Sequence, residues 1–166
     1  MPKTKKLALM AILTAIALTI FMIEAQLPSI VPIPGVKLGL ANIITLTTML
    51  ILGRKEAGAV LLMRIVLGAV FAGNPSAILY SAAGGMLAYI VMCVMTPIVP
   101  EKRLWAVSAV SAVAHNMGQL AACIAIVKMP GVIIYAPVLI VSGIITGVFT
   151  GFGAMYLVRA VRKLKL

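Results

Sequence analysis

Six apolar runs take up almost the whole chain, and water is the one solvent they cannot all face. They are about Leu7–Leu27, Leu38–Gly53, Ala57–Gly73, Ser76–Thr96, Trp105–Val127 and Val132–Val158. A helix of about 20 apolar residues crosses a bilayer core. Each run is near that length, although the second and third are short; short runs still cross where neighbours bury them or the membrane is thin. Of the 166 residues, 63% are hydrophobic and 10% are charged. An ordinary soluble domain carries about 25% charged residues, so too little polar sequence remains here to coat a water-facing surface. The sequence predicts an all-α, polytopic integral membrane protein with six transmembrane helices, in a single domain over residues 1–166.

The charges set the orientation. Fourteen Lys and Arg stand against three acids, Glu24, Glu56 and Glu101. A net charge of +11 would suit nucleic acid in a soluble protein. Here the basic residues lie mostly between apolar runs, so the topological reading is preferred and no nucleic-acid partner is expected. Lys3, Lys5, Lys6, Arg54, Lys55, Lys102, Arg103, Arg159, Arg162, Lys163 and Lys165 fall on one side, against Lys37 and Lys128 on the other. The positive-inside bias puts both termini in the cytoplasm. The first run is basic and then apolar, but it is long for the apolar core of a cleaved signal and is expected to stay. Connections are short. The longest irregular stretch, Pro28–Val36, holds Pro28, Pro32, Pro34 and Gly35 and reads as an external connector or an extended lid.

Polar groups inside the runs are the candidate functional residues, because lipid offers them no water. The fifth run carries the only histidine, His115, with Asn116 beside it and Gln119 one turn on. Counted from the cytoplasmic end, Arg64 lies roughly 10 Å into the third run and His115 roughly 15 Å into the fifth. Glu24, Lys37, Asn42 and Asn74 lie towards the outer ends, so the polar groups point to a pocket open to the outside. Arg64 stays charged and needs a partner. Helix carbonyls, Asn or Gln, an anionic ligand, and snorkelling to the interface all remain open. Glu24 differs from it in depth by roughly 15 Å and is better placed for Lys37. For His115 the alternatives are an interhelical hydrogen bond or ligand contact; a proton relay would want carboxylates at that depth, and none is there.

Much chemistry is excluded. The chain has no Asp, so no Ser/His/Asp set exists, and three isolated Glu make neither a paired-carboxylate site nor a magnesium cluster for diphosphate ionisation. No phosphate-binding GxxxxGK[ST] motif is present. One His and two distant cysteines, Cys93 and Cys123, complete no metal site. Those cysteines read as small buried apolar residues. The chain is expected to be no enzyme by itself, to need no cofactor and no metal, and to require a separate ATPase for any pumping.

Small residues predict close helix packing. Gly143, Gly147 and Gly151 recur every four residues, with Ser142, Thr146 and Thr150 beside them; Gly84, Gly85 and Ala88, and Ala11 with Ala15, are further cases.

Taken together, Pro34-Gly35-Val36-Lys37-Leu38-Gly39-Leu40-Ala41-Asn42, Arg64, Gly73-Asn74-Pro75, Ala114-His115-Asn116-Met117-Gly118-Gln119, Pro137, Ser142-Gly143 and Thr146-Gly147 resemble one membrane family. It is the Gx transporter family, often labelled heptaprenyl diphosphate synthase component I. The resemblance spans about Leu7–Arg159. It implies an architecture similar to the S components of energy-coupling factor (ECF) transporters, which are six-helix proteins of the bacterial cytoplasmic membrane. In those, a pocket near the outer face is capped by the loop after the first helix. That role would fall here to Pro32, Pro34 and Gly35. Small residues of the first helix dock on a shared transmembrane subunit, matched here by Ala11 and Ala15. The implied partners are a small anionic or amphipathic molecule, membrane lipid, and the ECF transmembrane subunit and ATPases in trans. Arg64, His115, Asn116, Gln119 and Asn42 would supply the pocket's polar groups. Relatives also occur beside membrane flavin-based electron-transfer proteins, so the resemblance equally admits an accessory role there or in isoprenoid or quinone synthesis.

Overall fold

A computed structural model describes residues 2–27, 37–73 and 76–163. Pro32, Pro34 and Gly35 of the expected capping loop lie outside these residues, as do Asn74, Pro75 and Lys165. The described residues contain no strand. Six α-helices follow one another: α1 (Lys3–Gln26), α2 (Asn42–Ile51), α3 (Arg54–Ala72), α4 (Ser76–Met95), α5 (Leu104–Val127) and α6 (Ala136–Lys163). Short 3-10 turns, Glu101–Arg103 and Pro130–Tyr135, lead into α5 and α6.

Four of these helices, α1, α4, α5 and α6, are long and apolar enough to cross a membrane. α3 has 19 residues and is about 28 Å long, but it carries Arg54, Lys55, Glu56 and Arg64. α2 departs from the sequence expectation. Its 10 residues reach only about 15 Å, half a bilayer core, where Leu38–Gly53 predicts a crossing. Gly39 at φ 75° and Gly53 at φ 109° bracket it, and both conformations lie outside a right-handed helix. The short helix is tolerated because it packs against all five others. Ile44, Thr45, Leu46, Thr47, Thr48 and Met49 are buried in succession. Two of its threonines satisfy themselves: Thr47 Oγ1 donates to the Ile43 carbonyl and Thr48 Oγ1 to the Ile44 carbonyl, both at 2.7 Å.

α4, α5 and α6 form a closely approached layer. A Cβ built on Gly147 would lie 2.5 Å from Ala109 Cα, and one on Gly151 would lie 2.5 Å from Trp105 Cα. A Cβ on Gly118 would lie 2.6 Å from the Ala83 carbonyl oxygen. The small-residue stripe of α6 therefore faces α5, and α5 meets α4 through a glycine of its own. Ser108 and Thr150 hydroxyls bond across the α5–α6 seam at 3.0 Å.

The basic connections gather at one end, as the charge pattern predicts. An apolar cluster of Leu46, Met49, Ala57, Met92, Leu104, Val107 and Ala154 joins the start of α3 and α5 to the finish of α2, α4 and α6. Lys6 pairs there with Glu56, and Arg162 Nη2 lies 2.9 Å from Glu101 Oε1. At the opposite end Tyr80, Leu120, Cys123 and Leu139 pack together. Cys123 is buried, Cys93 is half-buried, and both are free thiols.

The Arg162 guanidinium holds the Glu101 carboxyl below its ordinary value of 4.5. A depressed folded value means that the pair's stabilisation is complete above that pH and is lost as pH falls through the folded value. Both side chains are exposed, so the effect is small. Glu101→Gln should melt slightly below the parent at pH 7, and the two melting curves should converge as pH falls through the lowered folded value. A gap that widens in acid would rule the pair out as its source.

Candidate functional site

The non-helical segment Lys37–Ala41 organises the site. Its backbone has no helical or sheet partners over Lys37–Gly39, so buried side chains must supply them. Gly39 N–H donates to Glu24 Oε1 at 2.6 Å, and Lys37 N–H donates to Gln119 Oε1 at 3.0 Å. A carboxylate of α1 and an amide of α5 thus hold the segment from two sides. Its far end turns directly into α2, where Asn42, Ile43 and Ile44 N–H groups bond back to the carbonyls of Gly39, Leu40 and Ala41.

Around this segment the helices contribute one residue set each. α1 places Phe21 and Glu24, one turn apart, on its buried face. Lys37 Nζ sits 3.6 Å from the Phe21 ring centroid, and Arg64 Cζ lies 5.5 Å from the same centroid. Each cation is drawn to the ring's negative face, while the two like charges repel one another. α3 holds Arg64, whose Nη1 donates to Ser81 Oγ of α4 at 2.7 Å. α5 presents His115 and Gln119, stacked at i and i+4. The His115 ring touches two glycines: a Cβ on Gly39 would lie 2.7 Å from its Cδ2, and one on Gly84 would lie 3.0 Å from its Cε1. Glycine at these two positions gives the imidazole its room.

Arg64, His115, Gln119 and Asn42 therefore adjoin one segment. Arg64 reaches it through Phe21 and Lys37, His115 through Gly39, Gln119 through the Lys37 amide, and Asn42 through Gly39, against which its Nδ2 would sit 2.9 Å from an added Cβ. Asn116 points elsewhere. It follows His115 by one residue, about 100° around the helix, and its Nδ2 donates to the Leu139 carbonyl of α6 at 2.8 Å. Glu24 and Lys37 form no ion pair; the carboxylate takes a backbone N–H and the ammonium rests on Phe21.

Glu24, Asn42, Arg64, His115, Asn116 and Gln119 are each at most 5% exposed. Among the described residues, four of their polar atoms have no hydrogen-bond partner: Arg64 Nε, Asn42 Nδ2, His115 Nδ1 and Asn116 Oδ1. Leaving such groups unsatisfied costs about 1–3 kcal/mol each. A groove of about 310 Å³ lined by Lys3, Lys6, Lys55 and Glu56 lies at the basic end, away from these groups.

The family model described as heptaprenyl diphosphate synthase component I matches residues 13–157. The chain belongs to the heptaprenyl diphosphate synthase component I family. No curated protein and no solved structure matches it. In this family member the match takes in every described residue of the polar cluster, from Phe21 to Gln119.

Four contributors were not among the residues that sequence reasoning placed in a pocket: Phe21, Ser81, Gly39 and Gly84. Phe21 had a signal, since it precedes Glu24 by three residues and shares its helix face. Gly39 and Gly84 look like ordinary membrane glycines until the His115 ring is seen against them. Ser81 carries no sequence signal for Arg64, because serine is common in membrane helices.

Proposed function

We propose that this chain is the substrate-binding S component of an ECF-type uptake transporter, with six helices in the membrane, α2 half-embedded among the others, and both termini cytoplasmic. It takes a small molecule from the extracellular side, and ATPases in trans drive uptake through a shared transmembrane subunit. The observation that carries the reading is the buried polar cluster beneath a non-helical segment. Polar side chains at membrane depth serve a ligand or a passage by default, and irregular backbone is kept there only where protein buries it or a cavity adjoins it. Ligand entry then means displacing or reshaping Lys37–Ala41, with the preceding loop as the cap. No catalytic residue is assigned: the chain lacks Asp, and its three Glu sit in three separate places.

The outer face of α1 supports a protein partner. Ala8, Ala11, Ala15 and Thr19 are exposed along it. The exposed face of α6 carries Ile144, Ile145, Phe149, Phe152 and Tyr156, as a lipid-facing surface does, and α1 exposes Ile12, Ile16 and Ile23 beside its stripe of small residues. A smooth face of small residues permits close helix approach.

Native mass spectrometry of gently purified protein should find one small molecule retained per chain. Arg64→Ala and His115→Ala should each weaken retention at least about tenfold, or ~1.4 kcal/mol. Ala11→Leu with Ala15→Leu should abolish co-purification of the coupling subunits and leave retention unchanged. Full affinity in both pocket variants would refute the site.

The family description favours a second reading, a non-catalytic membrane accessory of prenyl diphosphate synthesis; the resemblance in sequence also admits one of flavin-based electron transfer. Stable association with a prenyl synthase or a flavoprotein, and none with coupling subunits, would select it.

A further inference from the structure

The proposed pocket has a charge that this chain does not balance. Its carboxylate side chains number three. Glu56 pairs with Lys6 and Glu101 with Arg162, both at the basic end. Glu24 is the only one in the cluster, where it stands against two cations, Lys37 and Arg64, and its Oε1 is taken by the Gly39 N–H. Arg64 forms no ion pair among the described residues, although it is 3% exposed and stays protonated. Two cations that share one carboxylate leave buried positive charge under-compensated, which is costly.

The unpartnered atoms have a matching bias. Arg64 Nε and Asn42 Nδ2 are donors only, and His115 Nδ1 donates in one of the ring's tautomers. Asn116 Oδ1, the one pure acceptor among the four, belongs to a side chain turned to α6. The cluster offers donors and positive charge, and it asks for acceptors and negative charge.

We infer that the captured molecule presents an anionic, acceptor-rich group, a carboxylate or a phosphate, to Arg64 with Asn42 and His115. This rests on the binding role proposed above and assigns its ligand class. An arginine suits it because the guanidinium fork matches both groups with two parallel hydrogen bonds. Nη1 is held by Ser81, which fixes the plane of the fork, and Nε has no partner among the described residues. The same chemistry is carried by soluble carboxylates and phosphates and by the phosphodiester of an anionic lipid.

His115 is the only histidine, so its ring nitrogens report the site without assignment. Protein labelled with ¹⁵N-histidine is placed in phosphatidylcholine nanodiscs and titrated with acetate, inorganic phosphate or acetamide at constant pH and ionic strength. The expected result is a saturable shift of the ring signals with acetate or phosphate and none with acetamide. The stronger anion names the group. Arg64→Gln should raise the apparent Kd at least tenfold. Arg64→Lys, which keeps the charge if the glutamine variant fails to fold, should raise it by a smaller factor. A shift in phosphatidylglycerol nanodiscs without added anion would assign the anion to lipid. An equal response to acetamide, no response to either anion or to phosphatidylglycerol, or a response unchanged in both Arg64 variants would overturn the inference. The parent reading fails separately. A neutral or cationic molecule retained in native mass spectrometry leaves the binding role standing and removes the anion. A saturable anion response in a chain that retains nothing and joins no coupling subunit removes the transporter and leaves the site.

Discussion

Gly147→Leu should leave little folded protein. An added Cβ would already lie 2.5 Å from Ala109 Cα and 2.8 Å from the Ser108 carbonyl oxygen. In an ordinary core, overpacking costs about 1–3 kcal/mol because side chains yield. Here the obstacles are backbone, so α5 and α6 must separate. Separation also loosens Gly143 and Gly151 on the same stripe and stretches the Ser108–Thr150 bond of 3.0 Å. No water-driven force between helices compensates, since association in lipid depends on packing itself. The loss should exceed roughly 3 kcal/mol, a fall of about 10 °C or more for a chain of this size. Ile145→Leu, on the exposed side of the same helix, should be neutral. Thermal melts and size-exclusion profiles in one detergent check both. A Gly147→Leu protein that melts with the parent would mean that the two helices do not meet along this stripe.

The same stripe was readable from the sequence, and the reason is physical. Glycine every four residues has one strong use in a membrane helix, so Gly143, Gly147 and Gly151 announce a close neighbour without naming it. The grouping of basic residues was readable too, because charge cannot sit in the hydrocarbon and must gather at helix ends. Arg64, His115, Gln119 and Asn42 stood out for the same reason. What the sequence could not show was their geometry. Periodicity placed Asn116 beside His115 but not its turn towards Leu139. Hydropathy extended the second run to Leu38, because Leu38, Leu40 and Ala41 are apolar whether helical or not. Nothing apolar about them reveals that Gly39 takes a left-handed turn and brings its amide to Glu24. The role of Glu24 was hidden in the same way: a lone carboxylate suggests an ion pair, and here it accepts a backbone N–H. Depth counting placed Glu24 and Arg64 too far apart to interact directly, and the structure has no ion pair between them, but it sets both beside Phe21, a link that no count along separate helices supplies.

Gly39→Ala should separate the site from the fold. Two costs fall on this one position. At φ 75° a residue with a Cβ is disfavoured by about 1–2 kcal/mol. The new methyl would also meet His115 Cδ2 at 2.7 Å and Asn42 Nδ2 at 2.9 Å. The imidazole has no easy retreat, since Gly84 already admits its Cε1 at a distance that a Cβ there would make 3.0 Å. The segment must therefore give way, and the Gly39–Glu24 and Lys37–Gln119 bonds are the contacts it would lose. The glycine contacts of α4, α5 and α6 do not involve this segment, so the bundle should persist with a modest fall in melting temperature. Retention of the small molecule should drop at least about tenfold, or ~1.4 kcal/mol. Amide exchange should accelerate over Lys37–Ala41 while Ser108–Gly118 stays protected, because local opening is confined to the unit that lost its bonds. Gly131→Ala is the control: no described residue lies within 4 Å of its added Cβ, and it should match the parent in both measurements. Unchanged retention with faster exchange would show that the segment covers the cluster without gating it. Unchanged exchange would mean that Lys37–Ala41 does not depend on the Glu24 and Gln119 bonds at all.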